Sequence, residues 1–154
     1  MSGIVDLLKP ELIRLHVHAE NWEEAVVRST EPFLEQNVCT KDYVDDIIRG
    51  VREYGPYIVI AKHTALPHAR SECGALKTAL GIMVLENPVC FGNEDNDPVK
   101  YLFPLSAVDG TQHMEALADL VELLGDERFY RVLDEASSEK QLYEDIVLWR
   151  GKRE

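Results

Sequence analysis

The stretch Leu76-Lys77-Thr78-Ala79-Leu80-Gly81-Ile82-Met83-Val84-Leu85 contains the longest apolar run of the chain. The run itself, from Thr78 to Leu85, is too short to span a membrane and has the length of a β-strand. A strand that is apolar without alternation is covered on both faces, as in the interior of a layered α/β protein. We therefore predict a strand over 76–85 near the middle of a sheet.

The segment 12–18 alternates between two faces, which predicts a half-buried strand. One face is apolar and carries Ile13, Leu15 and Val17. The other is polar and carries Arg14, His16 and His18. Two histidines on one strand face suggest a metal site, but no third ligand lies nearby in the sequence, so a solvated face is the preferred interpretation.

Two helices are predicted between this strand and the next. Apolar spacing indicates a helix from about 21 to 36, which we expect Pro32 to kink or interrupt. A second helix begins after Thr40, a residue suited to the N-cap, and ends at Gly55-Pro56. A short strand over 57–61 follows.

The remaining elements complete a layered fold. A strand is predicted over 99–108, and three helices begin near residues 109, 126 and 138. The order of strand, two helices, three strands and three helices predicts the α+β class, an α/β/α three-layer sandwich with helices on both faces. Because consecutive strands lack intervening helices, we expect a mixed sheet.

The composition excludes several classes of protein. The chain has 154 residues, 28 acidic against 16 basic side chains and a net charge of −12, without the basic stripe of a nucleic-acid binder. The acidic balance favours a partner with a basic face. Three cysteines without CxxC spacing argue against a disulfide framework. With no signal peptide and no membrane-spanning run, we expect a cytoplasmic protein without direct membrane insertion.

The segment 64–70, Thr64-Ala65-Leu66-Pro67-His68-Ala69-Arg70, holds the strongest candidate for chemistry. Pro67 restricts its own φ angle and favours an extended Leu66, which predicts a stiff, non-helical turn around His68. A neutral imidazole beside a fixed cation can accept and release a phosphoryl group. The alternative is a loop histidine without chemistry. His113, in the first turn of a predicted helix, would lie beside free N–H groups that favour a bound anion.

Other chemistries lack their signatures. A zinc site built from His63, His68 and His113 has no HExxH or CxxC motif beside it. An EF-hand loop beginning at Asp95 would need a glycine at its sixth position and a glutamate at its twelfth, where the chain has Lys100 and Ser106. A polar turn over the acidic segment 93–97 is therefore favoured. The GxSxG elbow of serine hydrolases and the P-loop are also absent. We expect neither a metal nor a cofactor.

Several motifs along the chain carry a family resemblance. They are Tyr54-Gly55-Pro56-Tyr57, Ala65-Leu66-Pro67-His68-Ala69-Arg70, Leu76-Lys77-Thr78, Asn93-Glu94-Asp95-Asn96-Asp97-Pro98-Val99 and Ala107-Val108-Asp109, followed by His113. Through them the chain resembles the IIA proteins of the bacterial sugar phosphotransferase system, in the mannitol/fructose superfamily. The closer likeness is to the stand-alone ascorbate-type IIA. The resemblance implies a single EIIA type 2 domain over residues 1–154.

The resemblance also implies a phosphoryl relay with assigned residues. His68 would take phosphate from phospho-HPr on Nε2, with Nδ1–H held by a backbone carbonyl, and pass it to a cysteine of a IIB protein or domain. His113 would help to hold the phosphoryl group, Arg52 corresponds to the arginine of mannitol-type members, and Arg70 to that of the ascorbate-type Pro-His-x-Arg stretch.

Two departures and one alternative accompany the resemblance. Ala69 replaces a glycine of many relatives, and Lys62-His63 replaces Pro-Gly of ascorbate-type members. If residue 69 needs a positive φ, alanine is strained there. The alternative function is a regulatory IIA-like module, in which the phosphorylation state of His68 controls a partner protein.

Overall fold

The computed structural model describes residues 3–151, apart from the side chains of Gln112 and His113. The α-helices are α1 Ile4–Leu7, α2 Trp22–Glu35, α3 Lys41–Tyr54, α4 Gly110–Leu124, α5 Glu127–Glu135 and α6 Glu139–Gly151. The strands are β1 Ile13–Val17, β2 Val59–Ala61, β3 Thr64–Ala65, β4 Ala79–Leu80, β5 Ile82–Val89, β6 Val99–Leu102 and β7 Leu105–Ser106. No helix within residues 3–151 is long and apolar enough to cross a bilayer.

The main sheet contains five strands in the order β1-β5-β6-β3-β2. β1 runs parallel to β5 and β3 parallel to β6, whereas β5 and β6 are antiparallel, as are β2 and β3. The predicted mixed sheet is therefore confirmed. β5 has a strand on each side, as its continuous apolar character predicted.

Alternate side chains of β5 enter two different cores. Met83 and Leu85 join the core that α2 and α3 cover, and Ile82 and Val84 join the core that α1, α4, α5 and α6 cover. All four side chains are at most 4% exposed. Burial of such a side chain stabilises the fold by roughly 1.5–3 kcal/mol. The two cores, one on each face of the sheet, confirm the three-layer sandwich.

A β-bulge at His16 interrupts the alternation of β1. Arg14 pairs with Met83 and Val17 with Leu85, so β1 uses one residue more than β5 over the same span. His16 takes the left-handed conformation there, with φ +56°. Ile13 therefore packs in the core under α4, α5 and α6, whereas Val17 packs against the core under α2 and α3. The predicted common face for these two residues is wrong because the bulge reverses it.

α2 continues past Pro32 to Glu35, so the predicted interruption of this helix is wrong. Pro32 lacks the N–H that an ordinary residue donates to the preceding turn. Phe33, next to it, is fully buried in the core under α2 and α3. Tertiary packing supplies most of the stability of helices in proteins, and here it holds the last turn in place.

The predicted strands over 76–85 and 99–108 are each divided in two. Gly81 separates β4 from β5, and its N–H donates to the carbonyl oxygen of Pro104 at 2.9 Å. A Cβ atom at Gly81 would lie 2.9 Å from the carbonyl oxygen of Leu12, so the chain passes too close for any side chain. β4 and β7 therefore leave the main sheet and pair with each other.

The acidic segment 93–97 forms a turn around one carboxylate. Asp97 accepts hydrogen bonds from the N–H groups of Phe91, Gly92 and Asn93 at 2.9, 2.8 and 2.9 Å. One ionised side chain thus satisfies three backbone donors. The segment follows β5 and leads directly into β6, so this carboxylate shapes the connection between two strands of the main sheet.

We expect Asp97→Ala to lower the free energy of unfolding by about 3 kcal/mol, because three backbone donors lose a charged acceptor. Urea denaturation followed by circular dichroism measures this loss. Asp95→Ala is the matched control, since it keeps the backbone carbonyl that accepts from Lys62 Nζ at 2.7 Å. We expect the control to change stability by less than about 0.5 kcal/mol. Equal losses in the two variants would contradict the assigned role of Asp97.

Candidate functional site

A cleft of about 860 Å³ lies between the second half of α3, the loop after β3 and the start of α4. Its α3 side includes Asp46, Arg49, Gly50 and Glu53, whose spacing places them on one face of the helix. The other lining residues are Tyr54, Tyr57, His68, Ala69, Arg70, Ser71, Glu72, Ala107, Asp109 and Gly110. His68, the strongest candidate from the sequence, thus opens into the cleft.

Nδ1 of the His68 imidazole is held by the backbone. Nδ1 lies 2.6 Å from the carbonyl oxygen of Leu66. A carbonyl only accepts hydrogen bonds, so Nδ1 carries the proton, and the lone pair of the neutral ring is on Nε2. The backbone hydrogen bond to Nδ1–H that the family resemblance implied is therefore confirmed.

The backbone on either side of His68 is tied to neighbouring elements. Leu66 donates its N–H to the carbonyl oxygen of Ile58 at 2.7 Å, and the carbonyl oxygen of Pro67 accepts from the N–H of Leu105 at 2.9 Å. Residues 66–70 belong to no helix or strand. The prediction of a non-helical segment is confirmed, and its backbone hydrogen bonds add to the restriction that proline imposes.

A buried tyrosine of α3 holds the loop that carries His68 through hydrogen bonds. Tyr43 is 1% exposed, and its hydroxyl donates to the carbonyl oxygen of Leu105 at 2.8 Å and accepts from the N–H of Ala69 at 3.1 Å. Burial raises the pKa of Tyr43 to about 12, so the hydroxyl keeps its proton at neutral pH. The residues with positive φ among those described do not include Ala69. Alanine therefore fits at this position without backbone strain.

A second tyrosine contacts His68 directly. The Tyr57 hydroxyl donates to the carbonyl oxygen of His68 at 3.1 Å. The two rings meet edge to face, with centroids 5.6 Å apart and planes at 81°. Burial raises the pKa of Tyr57, which keeps its hydroxyl a donor.

Charges of both signs line the cleft. Among the described residues, the guanidinium groups belong to Arg49 and Arg70, and Arg49 forms an ion pair with Asp46 on the same helix. The carboxylates belong to Asp46, Glu53, Glu72 and Asp109. Two cations that line the same cleft as an imidazole can balance the charge of a bound phosphoryl group, while the carboxylates limit how tightly the cleft holds an anion.

Not every residue that the sequence singled out reaches the cleft. Arg52 forms an ion pair with Glu23 of α2 and is not among the described residues that line the cleft. Arg70 lines it, as expected for a residue two positions after His68. His113 lies in the first turn of α4, next to Asp109 and Gly110, and its side chain is outside the described residues.

Lys62 and His63 lie at the tip of the hairpin between β2 and β3. His63 has φ +61°, a conformation that glycine adopts more readily, and its Nδ1 lies 2.7 Å from the carbonyl oxygen of Pro98. Lys62 Nζ donates to the carbonyl oxygen of Asp95 at 2.7 Å. Both side chains therefore attach the hairpin to the loop before β6. Among the residues described, no group of three or more His, Cys, Asp or Glu is arranged to hold a metal ion.

Comparison with known proteins assigns the family. The model of the phosphoenolpyruvate-dependent sugar phosphotransferase system, EIIA 2, matches residues 6–147. The chain belongs to this EIIA family. EIIA components are phosphotransferases that move phosphoryl groups through a phosphohistidine. The family recognised from the motifs is therefore confirmed.

The relatives of this EIIA protein include two named types. The mannitol-specific cryptic phosphotransferase enzyme IIA component of Escherichia coli K12 is 42% identical over 129 residues, which cover 84% of this chain and 86% of the relative. The ascorbate-specific PTS system EIIA component of the same strain is 36% identical over 141 residues, or 91% and 92% of the two chains. The likeness therefore extends to both types.

Solved structures share the fold of this EIIA protein. The solution structure of the mannitol-specific cryptic enzyme IIA of Escherichia coli matches with a TM-score of 0.83 and 39% identity over 95% of this chain and 98% of that one. The enzyme IIA of the mannitol system, solved in complex with phosphorylated IIB from Escherichia coli, matches with a TM-score of 0.73 and 23% identity over 89% and 94%. This second likeness concerns the fold.

Three residues that line the EIIA cleft or support its loop were not predicted from the sequence. Arg49 could have been found, because its spacing from Asp46 and Glu53 marks one polar face of α3. Tyr43 could not, since it lies on the buried side of the helix and contacts Ala69 across 26 positions. The resemblance motif included Tyr57, but nothing in it indicated the contact with His68.

Proposed function

We propose that this EIIA protein accepts a phosphoryl group from phospho-HPr on Nε2 of His68 and passes it to a cysteine of a IIB protein in an ascorbate-like uptake system. The observation that carries the proposal is the 2.6 Å contact between His68 Nδ1 and the carbonyl oxygen of Leu66. It leaves the lone pair of the neutral ring on Nε2. We also propose that the chain forms a single EIIA domain. We propose the cytoplasm as its compartment, because the proposed partners act there.

The proposed transfer is an exchange of one bond for another. The lone pair of His68 Nε2 attacks the phosphorus atom carried by HPr, and the bond between phosphorus and the HPr atom that carries it breaks, returning its electron pair to that atom. Nδ1–H of His68 stays bonded to Leu66, so no proton has to leave. In the second step a IIB cysteine thiolate attacks the same phosphorus atom, and His68 recovers its lone pair. Phosphoryl transfer of this kind depends mainly on positioning and charge balance.

We propose Arg49 and Arg70 as the cations that balance the equatorial oxygens of the phosphoryl group, since both line the cleft with His68. His113 remains part of the proposal, because the first turn of α4 offers N–H groups to an anion. The carboxylates of Asp46, Glu53 and other lining residues keep the cleft from becoming a strong anion trap. A relay needs this balance, because it must release what it binds.

The surroundings of the cleft suit protein partners. Tyr54 and Tyr57, which line it, are 80% and 43% exposed. Val108, which lies between the lining residues Ala107 and Asp109 in the sequence, is 45% exposed, and Met114 in α4 is 71% exposed. Exposed apolar side chains near a polar cleft are typical of protein interaction sites. The acidic lining and the net charge of −12 favour a donor with a basic face.

Phosphorylation of the purified protein tests the proposal. We expect a mass gain of one phosphoryl group with phosphoenolpyruvate, enzyme I and HPr, and none when HPr is omitted. An ascorbate-type IIB should then remove the group, and a mannitol-type IIB serves as the comparison. Absence of the mass gain would refute the relay. Phosphorylated protein that no IIB discharges would favour the regulatory module, and faster discharge by the mannitol-type IIB would reassign the uptake system.

The roles of the two arginines of α3 can be separated by experiment. We expect Arg49→Gln to slow phosphoryl transfer about 10-fold, because a cation that lines the cleft is lost. Arg52→Gln, three residues later on the same helix, loses the ion pair with Glu23, and we expect it to slow transfer less than about 2-fold, as exposed ion pairs contribute little. Quenched-flow transfer from phospho-HPr measures both rates. The opposite ranking would support Arg52, the residue that the resemblance implied.

A further inference from the structure

We propose that Tyr57 is a positioning residue for His68, and that position 50 is glycine because the Tyr57 ring occupies the space of a side chain there. The inference rests on the proposed function of His68, whose reactivity it deepens. No motif of the sequence and no role carried over from relatives assigns this task to either residue. It is carried by contacts that join three segments of the chain.

Tyr57 contacts His68 at two points. Its hydroxyl donates to the backbone carbonyl oxygen of His68 at 3.1 Å, and its ring meets the imidazole nearly at right angles, with the centroids 5.6 Å apart. Edge-to-face packing of this kind is a preferred aromatic arrangement. The first contact holds the backbone of His68, and the second restricts rotation of its side chain.

The ring of Tyr57 packs on the surface of α3 at Gly50. A Cβ atom at position 50 would lie 3.0 Å from the Tyr57 hydroxyl oxygen and 3.2 Å from its Cε1 atom. Both distances are shorter than ordinary carbon contacts, so even a methyl group would move the phenol ring. Glycine within a helix destabilises it relative to alanine. Helix stability therefore does not explain a glycine at position 50, whereas the space that the Tyr57 ring needs does.

The turn after α3 brings Tyr57 back onto the same helix. Gly55 ends α3 with φ +91° and donates its N–H to the carbonyl oxygen of Val51 at 2.9 Å. Tyr57 then donates its N–H to the carbonyl oxygen of Gly55 at 2.8 Å. This tight turn reverses the chain direction, so that the ring of residue 57 covers residue 50, seven positions earlier.

His68 is thus restrained on two sides. The Leu66 carbonyl oxygen holds Nδ1 at 2.6 Å, and the Tyr57 ring packs against the imidazole. The hydrogen bond at Nδ1 fixes one point of the imidazole, and the contact with the Tyr57 ring restrains rotation of the imidazole about that point. Small displacements of a reacting group reduce the rate of reaction strongly, so we expect the second support to accelerate transfer from Nε2.

The test compares substitutions at both positions with matched controls. Tyr57→Leu removes the aromatic ring, and we expect it to slow transfer from phospho-HPr about 10- to 100-fold. Tyr57→Phe keeps the ring and loses one hydrogen bond, and we expect it to slow transfer about 5-fold. Gly50→Ala should slow transfer about 10-fold while the melting temperature stays equal or rises. The double variant Tyr57→Leu with Gly50→Ala should transfer at the same rate as Tyr57→Leu alone.

The controls are Tyr143→Phe on α6 and Gly125→Ala after α4. Tyr143 packs beside the core under α4, α5 and α6, and a Cβ atom at Gly125 would meet nothing closer than 3.6 Å. Both controls should transfer at the wild-type rate. If they slow transfer as much as the test variants do, the effect is general and the inference is wrong.

A second measurement does not require phosphoryl transfer. Nitrogen chemical shifts of the His68 ring report which tautomer is present. We expect Nδ1–H in the wild type and a partial shift towards Nε2–H in Tyr57→Leu and Gly50→Ala. If the wild type accepts no phosphoryl group, the proposed function fails. The chemical shifts would still show whether Tyr57 positions the His68 ring. Unchanged shifts together with unchanged transfer in Tyr57→Leu would overturn the inference.

Discussion

Replacing His68 by alanine is expected to reduce phosphoryl incorporation about 1,000-fold or more, because the nucleophilic nitrogen is removed. The imidazole is only partly buried, so the fold should tolerate the change. Intact-mass spectrometry after incubation with phosphoenolpyruvate, enzyme I and HPr measures the result. Circular dichroism and the melting temperature show whether the variant remains folded.

His63→Gly is the matched control for this experiment. His63 lies five residues earlier and is not among the lining residues of the cleft, and the substitution removes the hydrogen bond between its Nδ1 and the Pro98 carbonyl oxygen. Glycine also adopts the φ of +61° at this position without strain. We expect incorporation within about 2-fold of the wild type, since surface contacts of this kind contribute little. Phosphorylation of His68→Ala at the wild-type rate would mean that another residue is the acceptor.

Gly74→Ala is expected to lower the free energy of unfolding by about 4 kcal/mol, through backbone strain and overpacking together. Gly74 has φ +137°, and a Cβ atom there would clash with Thr40 Oγ1 and lie 3.2 Å from the backbone nitrogen of Tyr43. The Gly74 carbonyl oxygen also accepts the N–H of Thr40 at 2.9 Å. The clash therefore falls on the first turn of α3, where Tyr43 supports the loop of His68.

Gly92→Ala separates the two causes. Gly92 also has a positive φ, +95°, but no atom lies within 4 Å of the position that its Cβ would occupy. Alanine there suffers strain without a clash, and we expect a loss of about 1 to 2 kcal/mol. Urea denaturation of both variants gives the difference. A loss for Gly92→Ala as large as that for Gly74→Ala would show that the clash contributes nothing.

Much of the architecture could be predicted from the sequence because it depends on short-range patterns. The apolar run at 78–85 indicated an interior strand, and apolar spacing located both long helices before it. The end of α3 at Tyr54 followed from Gly55 and Pro56. These signals act within a few positions along the chain. They failed at His16 and Pro32, where contacts with β5 and with the buried core determine the local conformation.

The candidate site was also predictable only in part. Pro67 and His68 are neighbours in the chain, so a restricted backbone around the histidine was readable from the sequence, and the Leu66 carbonyl that holds Nδ1 is two residues away. The two tyrosines that support His68 and its loop come from α3 and the turn after it. Tyr57 is 11 positions from His68 in the sequence, and Tyr43 is 26 positions from Ala69, which it contacts.

Family motifs and local conformation therefore identified the histidine and the chemistry that its segment suits. The packing of α3 against the loop decided which side chains stand beside it: Arg49 on the face towards the cleft, Arg52 towards Glu23, and Tyr57 on Gly50. The reason is physical. Hydrogen bonds and φ preferences between neighbouring residues are set by the order of residues, whereas contacts between distant segments exist only once the helices and strands have packed.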